Sequence, residues 1–309
     1  MSTYQDLLRN TKVEDLAPSK DQVIVLDSKL TVPEALKRLT EVGVLSAPVI
    51  DTSNNKYVGL VDALDILAYV VGIFEEVETE SIQSHTIFTR LHTGEKFKTQ
   101  PIGEITDFAH NPYTPVQKGS SVYDACKVLV QKKSHRAPIV DENGNIISIL
   151  TQSAIVNMLT RHFGCLGDLG KKTVEELQLG TSPVITVAKT MRAVDAFKKM
   201  HESRVSGLGV IDHNNNLIGN LSARDIKAID DANIYSSLFT STSAFVQKIR
   251  SENINETHPA ISCSESTTLE FILGRLAANF IHRLYVCSKD FHPLRVVSLR
   301  DVLAVLIKE

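Results

Sequence analysis

A short pattern of apolar runs, turns and helix starts occurs four times along this chain of 309 residues, and this repetition limits the fold more than any other feature. Each copy predicts a first strand, a helix, a hairpin of two strands and the start of a second helix. In the fourth copy the hairpin arms are Ile281–Val286 and Val296–Leu299. Internal repeats of this kind predict an architecture of similar units.

The predicted elements fall at similar places in all four repeats. Thr31-Val32-Pro33-Glu34 has a capping-box pattern with proline in the first turn, which predicts the start of the first helix. The predicted first strands are 23–26, 113–116, 184–187 and 260–263, and the predicted helices are 35–43, 121–130, 193–200 and 268–279. The other three predicted hairpins pair 47–50 with 57–61, 137–140 with 146–150, and 208–211 with 217–221.

A β-α-β-β-α unit of about 60 residues is too small to cover both faces of its own sheet. We therefore expect an α/β (α+β) fold in which two units bury their sheets against each other, giving two modules of two repeats. The predicted boundaries are 1–75 for repeat 1, 76–101 for a linker with a helix extension, 102–164 for repeat 2, 165–235 for repeat 3 and 236–309 for repeat 4. The glycine-rich segment Cys165–Lys172 is predicted as a hinge.

Composition argues against several classes of function. The formal net charge of −3 gives no reason to expect a nucleic-acid or membrane surface. The N-terminus lacks the pattern of a signal peptide, and the longest apolar run, residues 66–74, is too short to cross a bilayer. The four cysteines have no paired spacing, so neither a zinc site nor a disulfide framework is predicted. We expect a protein of the cytosol, or of the cytosol and nucleus.

The repeated unit resembles the cystathionine-β-synthase (CBS) domain. Four such units in tandem resemble the gamma subunits of AMP-activated protein kinases, and the resemblance covers nearly the whole chain. The residues that carry it are His135–Val140, Glu175–Thr181, Arg204–Ser206, and His282–Leu284 with Ser298–Asp301. The resemblance implies two Bateman modules in a flat, pseudo-symmetric disc with a solvated central channel.

The resemblance also implies binding of AMP, ADP or ATP as regulatory ligands in clefts between repeats. It implies kinase alpha and beta subunits as partners, and it implies neither a catalytic cofactor nor a metal. The residues implied to hold ribose are Asp65, Asp225 and Asp301 with Ser222 and Ser298. Those implied to hold phosphate are His135, Arg136, His282, Arg283, Arg224, Arg300, Arg250 and Thr151, and those implied to line the adenine cleft are Thr181, Thr186, Val205, Ser206 and Ile261.

The residue types suit this chemistry without the resemblance. An ionised carboxylate can accept hydrogen bonds from both hydroxyls of a ribose diol, and arginine is the planar, multidentate partner of phosphate. A simpler reading of the Ser-x-x-Asp pattern is a helix cap, with the serine at the N-cap and the aspartate three residues later. A His-Arg pair before a strand is also often only solvated surface. Its recurrence in repeats 2 and 4 alone favours two facing repeats across a channel.

Several positions depart from the family pattern. Repeat 2 has Ala154 in place of the aspartate, as the gamma family also does. In repeat 1, Leu45 stands where the family has an arginine that contacts phosphate, and Asp62 takes the usual Ser/Thr position, which predicts repulsion of a polyphosphate near Asp65. Ser153 stands where the family has a lysine, and Gly209 replaces a strand proline.

Three hypotheses of function follow. The leading one is an adenine-nucleotide sensor that regulates an AMP-activated-type kinase, with no enzymatic activity of its own. The second is a free-standing CBS protein that self-associates and binds adenosyl ligands to regulate another target. The third, an enzyme, is disfavoured because the sequence has no nucleophile elbow, Walker loop, dinucleotide fingerprint or zinc-protease motif. If one cleft binds a nucleotide tightly, we expect it to be the one with Asp301.

Overall fold

The computed structural model describes residues 3–17, 23–54, 56–80, 94–106, 113–229, 234–252 and 261–308. The fold is mixed α/β, with a three-stranded sheet in each of the four repeats. In every sheet the first strand runs parallel to the first hairpin strand, and the hairpin is antiparallel. The strands are β1 Leu26–Asp27, β2 Ser46–Asp51, β3 Lys56–Asp62, β4 Val116–Gln117, β5 Arg136–Val140, β6 Ile146–Thr151, β7 Thr186–Ala188, β8 Gly207–Ile211, β9 Leu217–Ser222, β10 Ser262–Cys263, β11 Arg283–Cys287 and β12 Pro293–Ser298.

The α-helices frame these sheets. Those of the repeats proper are Val32–Glu41, Ala63–Glu80, Val122–Gln131, Gln152–Thr160, Ala193–Glu202, Leu269–Ala278 and Leu299–Leu306. Those that precede repeats are Tyr4–Asn10, Val13–Leu16, Gly167–Lys171, Val174–Leu177, Ile234–Leu238 and Thr242–Glu252. Short 3-10 helices cover Ile102–Ile105, Phe163–Leu166 and Ala223–Ala228.

The predicted hairpins of repeats 1 to 3 agree with the observed ones to within about a residue, that of repeat 4 begins two residues later and its second strand three residues earlier than predicted, and the first strands are shorter than predicted. Part of the predicted first strand of repeat 4, at Ala260, lies outside the described residues. The segment Cys165–Lys172, which the sequence predicts as a hinge, is helical up to Lys171, and Leu166 is 2% exposed in a packed core. Gly170 allows close packing, since a Cβ on it would lie 3.0 Å from Cβ of Leu166.

Alternate repeats share their apolar cores. One core cluster contains residues of repeats 1 and 3, and in it the helix Ala63–Glu80 packs against Ala193–Glu202. The other contains residues of repeats 2 and 4, and in it Gln152–Thr160 packs against Leu269–Ala278. The sequence predicts burial between the paired sheets, but it does not predict this division of the helices.

Repeats that are consecutive in sequence are tied by exchanged segments. The helices Tyr4–Asn10 and Val13–Leu16 precede repeat 1, yet Leu8 and Val13 are fully buried in the core that contains repeat 2. Likewise Phe245 precedes repeat 4 and lies in the core of repeat 3. Isolated β-bridges, such as the one between Thr173 and Thr268, hold exchanged segments of this kind in place. Each module is therefore interlocked, and sequence boundaries between repeats do not coincide with packing boundaries.

No helix in the described parts of the chain has the length and apolar character needed to cross a membrane. Within those same parts, no group of three or more His, Cys, Asp and Glu side chains is placed to hold a metal ion. The four cysteines are free thiols, and burial raises the pKa of Cys126 to about 12, so this thiol stays protonated.

Candidate functional site

The four repeats meet around a central cavity of about 1280 Å³. Its wall is built from the starts of the first hairpin strands and from the helix starts that follow the second ones. Most residues predicted to bind a ligand line it: His135, Arg136, Thr151, Thr181, Val205, Ser206, Ser222, Arg224, Asp225, Arg250, Ile261, His282, Arg283, Ser298, Arg300 and Asp301. Asp65 and Thr186 do not line the cavity.

Strand register explains why these residues converge. Ser46 pairs with Asp62, Arg136 with Thr151, Gly207 with Ser222 and Arg283 with Ser298, so these pairs are equivalent in the four repeats. Each pair joins the first residue of one hairpin strand to the last residue of the other. Side chains at the open end of every hairpin therefore point to the place where the repeats meet.

The aspartates of repeats 3 and 4 cap helices, as the simpler reading predicts. Asp301 Oδ2 accepts hydrogen bonds from Ser298 N–H at 2.8 Å and from Ser298 Oγ at 2.5 Å. Asp225 Oδ2 accepts from Ser222 N–H at 2.7 Å and from Ser222 Oγ at 3.2 Å. In both, Oδ1 makes no hydrogen bond to any described residue. Capping thus uses only one oxygen, Oδ2, of each of these two cavity-lining aspartates.

Repeat 1 differs at the equivalent place. Asp65 Oδ2 accepts from Asp62 N–H at 2.6 Å, and Asp62 Oδ1 accepts from Asp65 N–H at 3.2 Å. Asp62 is only 2% exposed and Asp65 is not exposed at all, whereas Asp225 and Asp301 are both partly exposed. The predicted ribose anchor of this repeat is therefore held beneath the cavity surface.

Each of the two His-Arg pairs contributes an imidazole and a guanidinium group to the cavity wall. His135 and His282 reach the open space of the cavity, while the arginines that follow them are partly buried against the neighbouring repeat. Arg136 donates to Ser46 Oγ, and Arg283 donates to Ser206 Oγ at 2.6 Å. Each arginine therefore joins the two repeats of its module.

Enclosure and mutual repulsion shape the titration of the two histidines. Burial lowers the pKa of His282 to about 3, and Arg283, His135, Arg136 and Arg224 add to the lowering. Burial also lowers the pKa of His135 to about 4; Asp62 opposes this shift, and Arg136 reinforces it. Both imidazoles are thus neutral at pH 7. Protonation of His135 would lower the pKa of His282 further.

The pKa of the Asp225 carboxyl group is shifted in the opposite direction, upward. Burial raises the pKa of its carboxyl group, while hydrogen bonds from Ser222 and the charges of Arg283 and Arg224 oppose that rise.

Arg250 also reaches the cavity, and its Nη2 is buried without a hydrogen-bond partner among the described residues. A buried donor of this kind favours an anionic ligand that can accept from it.

A bridge between repeats 3 and 4 forms one wall of the cavity. Thr181 and Val296 exchange backbone hydrogen bonds of 2.9 and 3.0 Å. Gly180 has a φ of +91°, and a Cβ there would lie 2.7 Å from the carbonyl oxygen of Val296. Glycine is therefore required at this step of the Glu175–Thr181 stretch, since any side chain would break the bridge.

Sequence reasoning missed one set of lining residues. Lys133, Arg204 and Phe280 follow the first helix of repeats 2, 3 and 4, have φ values of +55°, +52° and +51°, and line the cavity. Phe280 is 72% exposed, although aromatic residues seldom adopt this backbone conformation. Gly43 holds the same position in repeat 1. That glycine after a helix is the signal that could have revealed these positions.

The family model of the CBS domain matches residues 13–72, 102–161, 174–230 and 252–308. The chain belongs to the CBS-domain family. The four matches confirm the repeats predicted from the sequence, and the described structure places a three-stranded sheet in each of them.

Two similar proteins are regulatory subunits of protein kinases by name. SNF1-related protein kinase regulatory subunit gamma-1 of Arabidopsis thaliana is 28% identical over 340 residues, covering 94% of this chain and 80% of that protein. The human 5'-AMP-activated protein kinase subunit gamma-3 is 24% identical over 98% of this chain, which spans 60% of that protein's length. The resemblance to the gamma-subunit family is thus confirmed.

Two solved structures of other proteins have a fold similar to that of this chain. Protein MJ1225 of Methanocaldococcus jannaschii, described as a candidate archaeal homologue of g-AMPK, superposes with a TM-score of 0.76 over 96% of this chain and all of that one, at 18% identity. An uncharacterized conserved protein of Pyrococcus horikoshii gives a TM-score of 0.55 at 17% identity, again over 96% of this chain and 100% of that one. These matches confirm the mixed α/β fold built from four repeats.

Proposed function

We propose that this protein binds AMP, ADP and ATP at the central cavity and acts as the energy-sensing regulatory subunit of an AMP-activated-type protein kinase. The observation that carries the proposal is the pairing of half-free carboxylates with a cluster of cations in one enclosed space. Asp225 and Asp301 each keep one oxygen for a ribose diol, and His282, Arg283 and Arg300 lie in the same wall. No catalytic cofactor is required for this role.

The phosphate ends of bound nucleotides would meet the arginines. Arginine offers several donors in one plane, and charge-assisted hydrogen bonds to phosphate are stronger than neutral ones. Arg224, Arg250 and Arg300 line the cavity beside the two His-Arg pairs, and Thr151 adds a hydroxyl. A ligand anion would also relieve the repulsion among these cations, so binding and the arrangement of the repeats are coupled.

The adenine would lie against the less polar wall. Val205 and Ile261 line the cavity and pack at the edges of the two different core clusters. Thr181 and Ser206 add hydroxyl groups on the same surface. Because opposite repeats share a core, ligand-dependent shifts at these residues would move helices in both modules together, and kinase alpha and beta subunits in the cytosol or nucleus could read that change.

Isothermal titration with AMP and with ATP tests nucleotide binding. We expect micromolar affinities for the unmodified protein and a large loss for Asp225→Ala and Asp301→Ala. Heat signals that stay at the level of buffer for both nucleotides would refute the proposal. Purification from cells on a C-terminal tag tests the partner: recovery of kinase alpha and beta subunits supports it.

A second candidate is a free-standing CBS protein that self-associates and responds to an adenosyl ligand. The observation that favours it is the altered first repeat, in which Leu45 and Asp62 face the cavity where the family has a cation and a hydroxyl. Recovery of a homo-oligomer without kinase subunits in the same purification would favour this candidate.

A further inference from the structure

Asp62 is a charged residue at a position that is otherwise neutral. The strand register makes it equivalent to Thr151, Ser222 and Ser298 of the other repeats. All four residues line the cavity, at the point where a strand ends and a helix begins. Repeat 1 thus has two carboxylates, Asp62 and Asp65, where repeats 3 and 4 each have a hydroxyl and a carboxylate.

Hydrogen bonds hold this pair of carboxylates in place. Asp62 Oδ1 accepts from Leu64 N–H at 2.7 Å and from Asp65 N–H at 3.2 Å, while Asp65 Oδ2 accepts from Asp62 N–H at 2.6 Å. The exposed fractions of the two residues are 2% and 0%. Neither side chain can change its position much without breaking the hydrogen bonds at the start of the helix.

The two modules treat their central arginines differently. Burial lowers the pKa of Arg136, and the charges of Asp62 and Asp65 oppose that shift; Arg136 also donates to Ser46. At the equivalent place of the other module, burial lowers the pKa of Arg283, and Tyr285 and a single aspartate, Asp225, oppose that shift; Arg283 donates to Ser206. Arg136 therefore has two aspartates near it where Arg283 has one, and the additional aspartate, Asp62, lines the cavity.

We propose that Asp62 closes the first-repeat cleft to phosphate, because its carboxylate lies near Arg136 and takes the place that a ligand anion would occupy. Phosphate-bearing nucleotides therefore bind at the Asp225 and Asp301 clefts and not at Asp65. The proposal rests on the proposed function and specifies which clefts carry it. A phosphate that entered beside Asp62 would meet a fixed like charge in a partly desolvated site, and such juxtaposition is strongly unfavourable.

Two substitutions test the proposal by titration with ATP. Asp62→Ser restores the Ser-x-x-Asp pattern of repeats 3 and 4, and Asp62→Asn keeps a hydrogen-bond acceptor at the cap while removing the charge. We expect both variants to show one more ATP-binding event per chain than the unmodified protein, or about tenfold tighter binding of its weakest ATP. Asp168→Ser is the matched control, because this exposed carboxylate pairs with Lys171 and does not line the cavity.

A readout without nucleotide keeps the test independent. Because the charge of Asp62 raises the pKa of His135, its removal in Asp62→Asn should lower the NMR titration midpoint of His135, and Asp168→Ser should not. If the unmodified protein binds ATP but both Asp62 variants bind it with the same stoichiometry and affinity, this inference is wrong and the proposed function stands. If neither the protein nor its variants bind ATP, both are wrong.

Discussion

The guanidinium group of Arg283 lies directly over Gly207, and a Cβ on that glycine would overlap Nη1 of the arginine. Gly207 begins β8 of repeat 3, whereas Arg283 begins β11 of repeat 4, so the contact joins the two repeats of one module. It also holds Arg283 within 2.6 Å of Ser206 Oγ. Because Gly207 has no side chain, it leaves room for Arg283, a residue proposed to bind phosphate.

We expect Gly207→Ala to weaken ATP binding by roughly tenfold or more while the protein remains folded, because the added methyl group displaces Arg283 and its hydrogen bonds to charged partners contribute ~1.5–3 kcal/mol. Isothermal titration measures the affinity, and circular dichroism checks the fold. Gly72→Ala is the matched control, since a Cβ there meets nothing within 4 Å. Equal affinities for the two variants would contradict a role for the Gly207 contact.

Asn variants separate the capping role of the aspartates from the proposed ribose role. Asp301→Asn keeps an oxygen that can accept from Ser298 N–H, so we expect the thermal midpoint to change little. The lost charge should weaken nucleotide binding by roughly tenfold to a hundredfold, since hydrogen bonds to a charged acceptor contribute ~1.5–3 kcal/mol. Asp225→Asn should have a smaller effect if the Asp301 cleft binds most tightly, and a larger loss for Asp225→Asn would overturn that ranking.

The histidines predict how stability depends on pH. Both have a pKa below the ordinary value in the folded protein, about 4 for His135 and about 3 for His282, so the unfolded chain binds more protons as pH falls below about 6.5. The unliganded protein should therefore lose stability between about pH 6.5 and pH 4. A bound phosphate favours the protonated imidazoles, so nucleotide binding should take up protons and become tighter over the same range.

Thermal midpoints measured from pH 7.5 to pH 5, with and without AMP, check this behaviour. The double variant His135→Gln with His282→Gln removes the two titrating groups and should flatten the dependence, whereas Asp225, whose pKa is raised, remains in both proteins. An unchanged pH profile in the double variant would show that other groups control the acid sensitivity.

Core substitutions should cross the boundary between modules. Phe197 of repeat 3 is 1% exposed and packs edge to face with Phe245, with ring centroids 5.5 Å apart, in the core shared with repeat 1. Phe197→Ala should cost about 3–5 kcal/mol of unfolding free energy and should reduce amide protection in repeat 1 as well. Leu273→Ala in the other core should instead affect repeats 2 and 4. Loss of protection confined to repeat 3 would contradict the shared core.

Local patterns predicted the hairpins well because they are set by neighbouring residues. The run Ala137–Val140 and the turn at Glu142–Gly144 fix where β5 ends and β6 begins, and β5 is observed at Arg136–Val140. The first strands were predicted too long, since their outer residues have no partner in a three-stranded sheet. The helix predicted after Ser222 is a 3-10 helix, Ala223–Ala228, that ends at Ile229.

Long-range packing could not be predicted from the same patterns. The sharing of one core by repeats 1 and 3 depends on which helix faces meet, and apolar periodicity only says which face of each helix is buried. The burial of Asp65 and the position of Phe280 at the cavity also depend on how the elements pack together, so local patterns did not predict them. The positions of His135, Asp225 and Asp301 at one cavity were predicted, because the repeat places equivalent residues at equivalent ends of hairpins.

Native mass spectrometry of the purified protein tests the central claim most directly, because it counts the small molecules held by each chain. We expect masses that correspond to one or two bound adenine nucleotides, either co-purified or acquired on addition of AMP or ATP, and we expect these masses to be lost in the Asp225→Ala, Asp301→Ala double variant. A spectrum that contains only the bare chain of 34.1 kDa after addition of millimolar AMP and ATP would contradict the account.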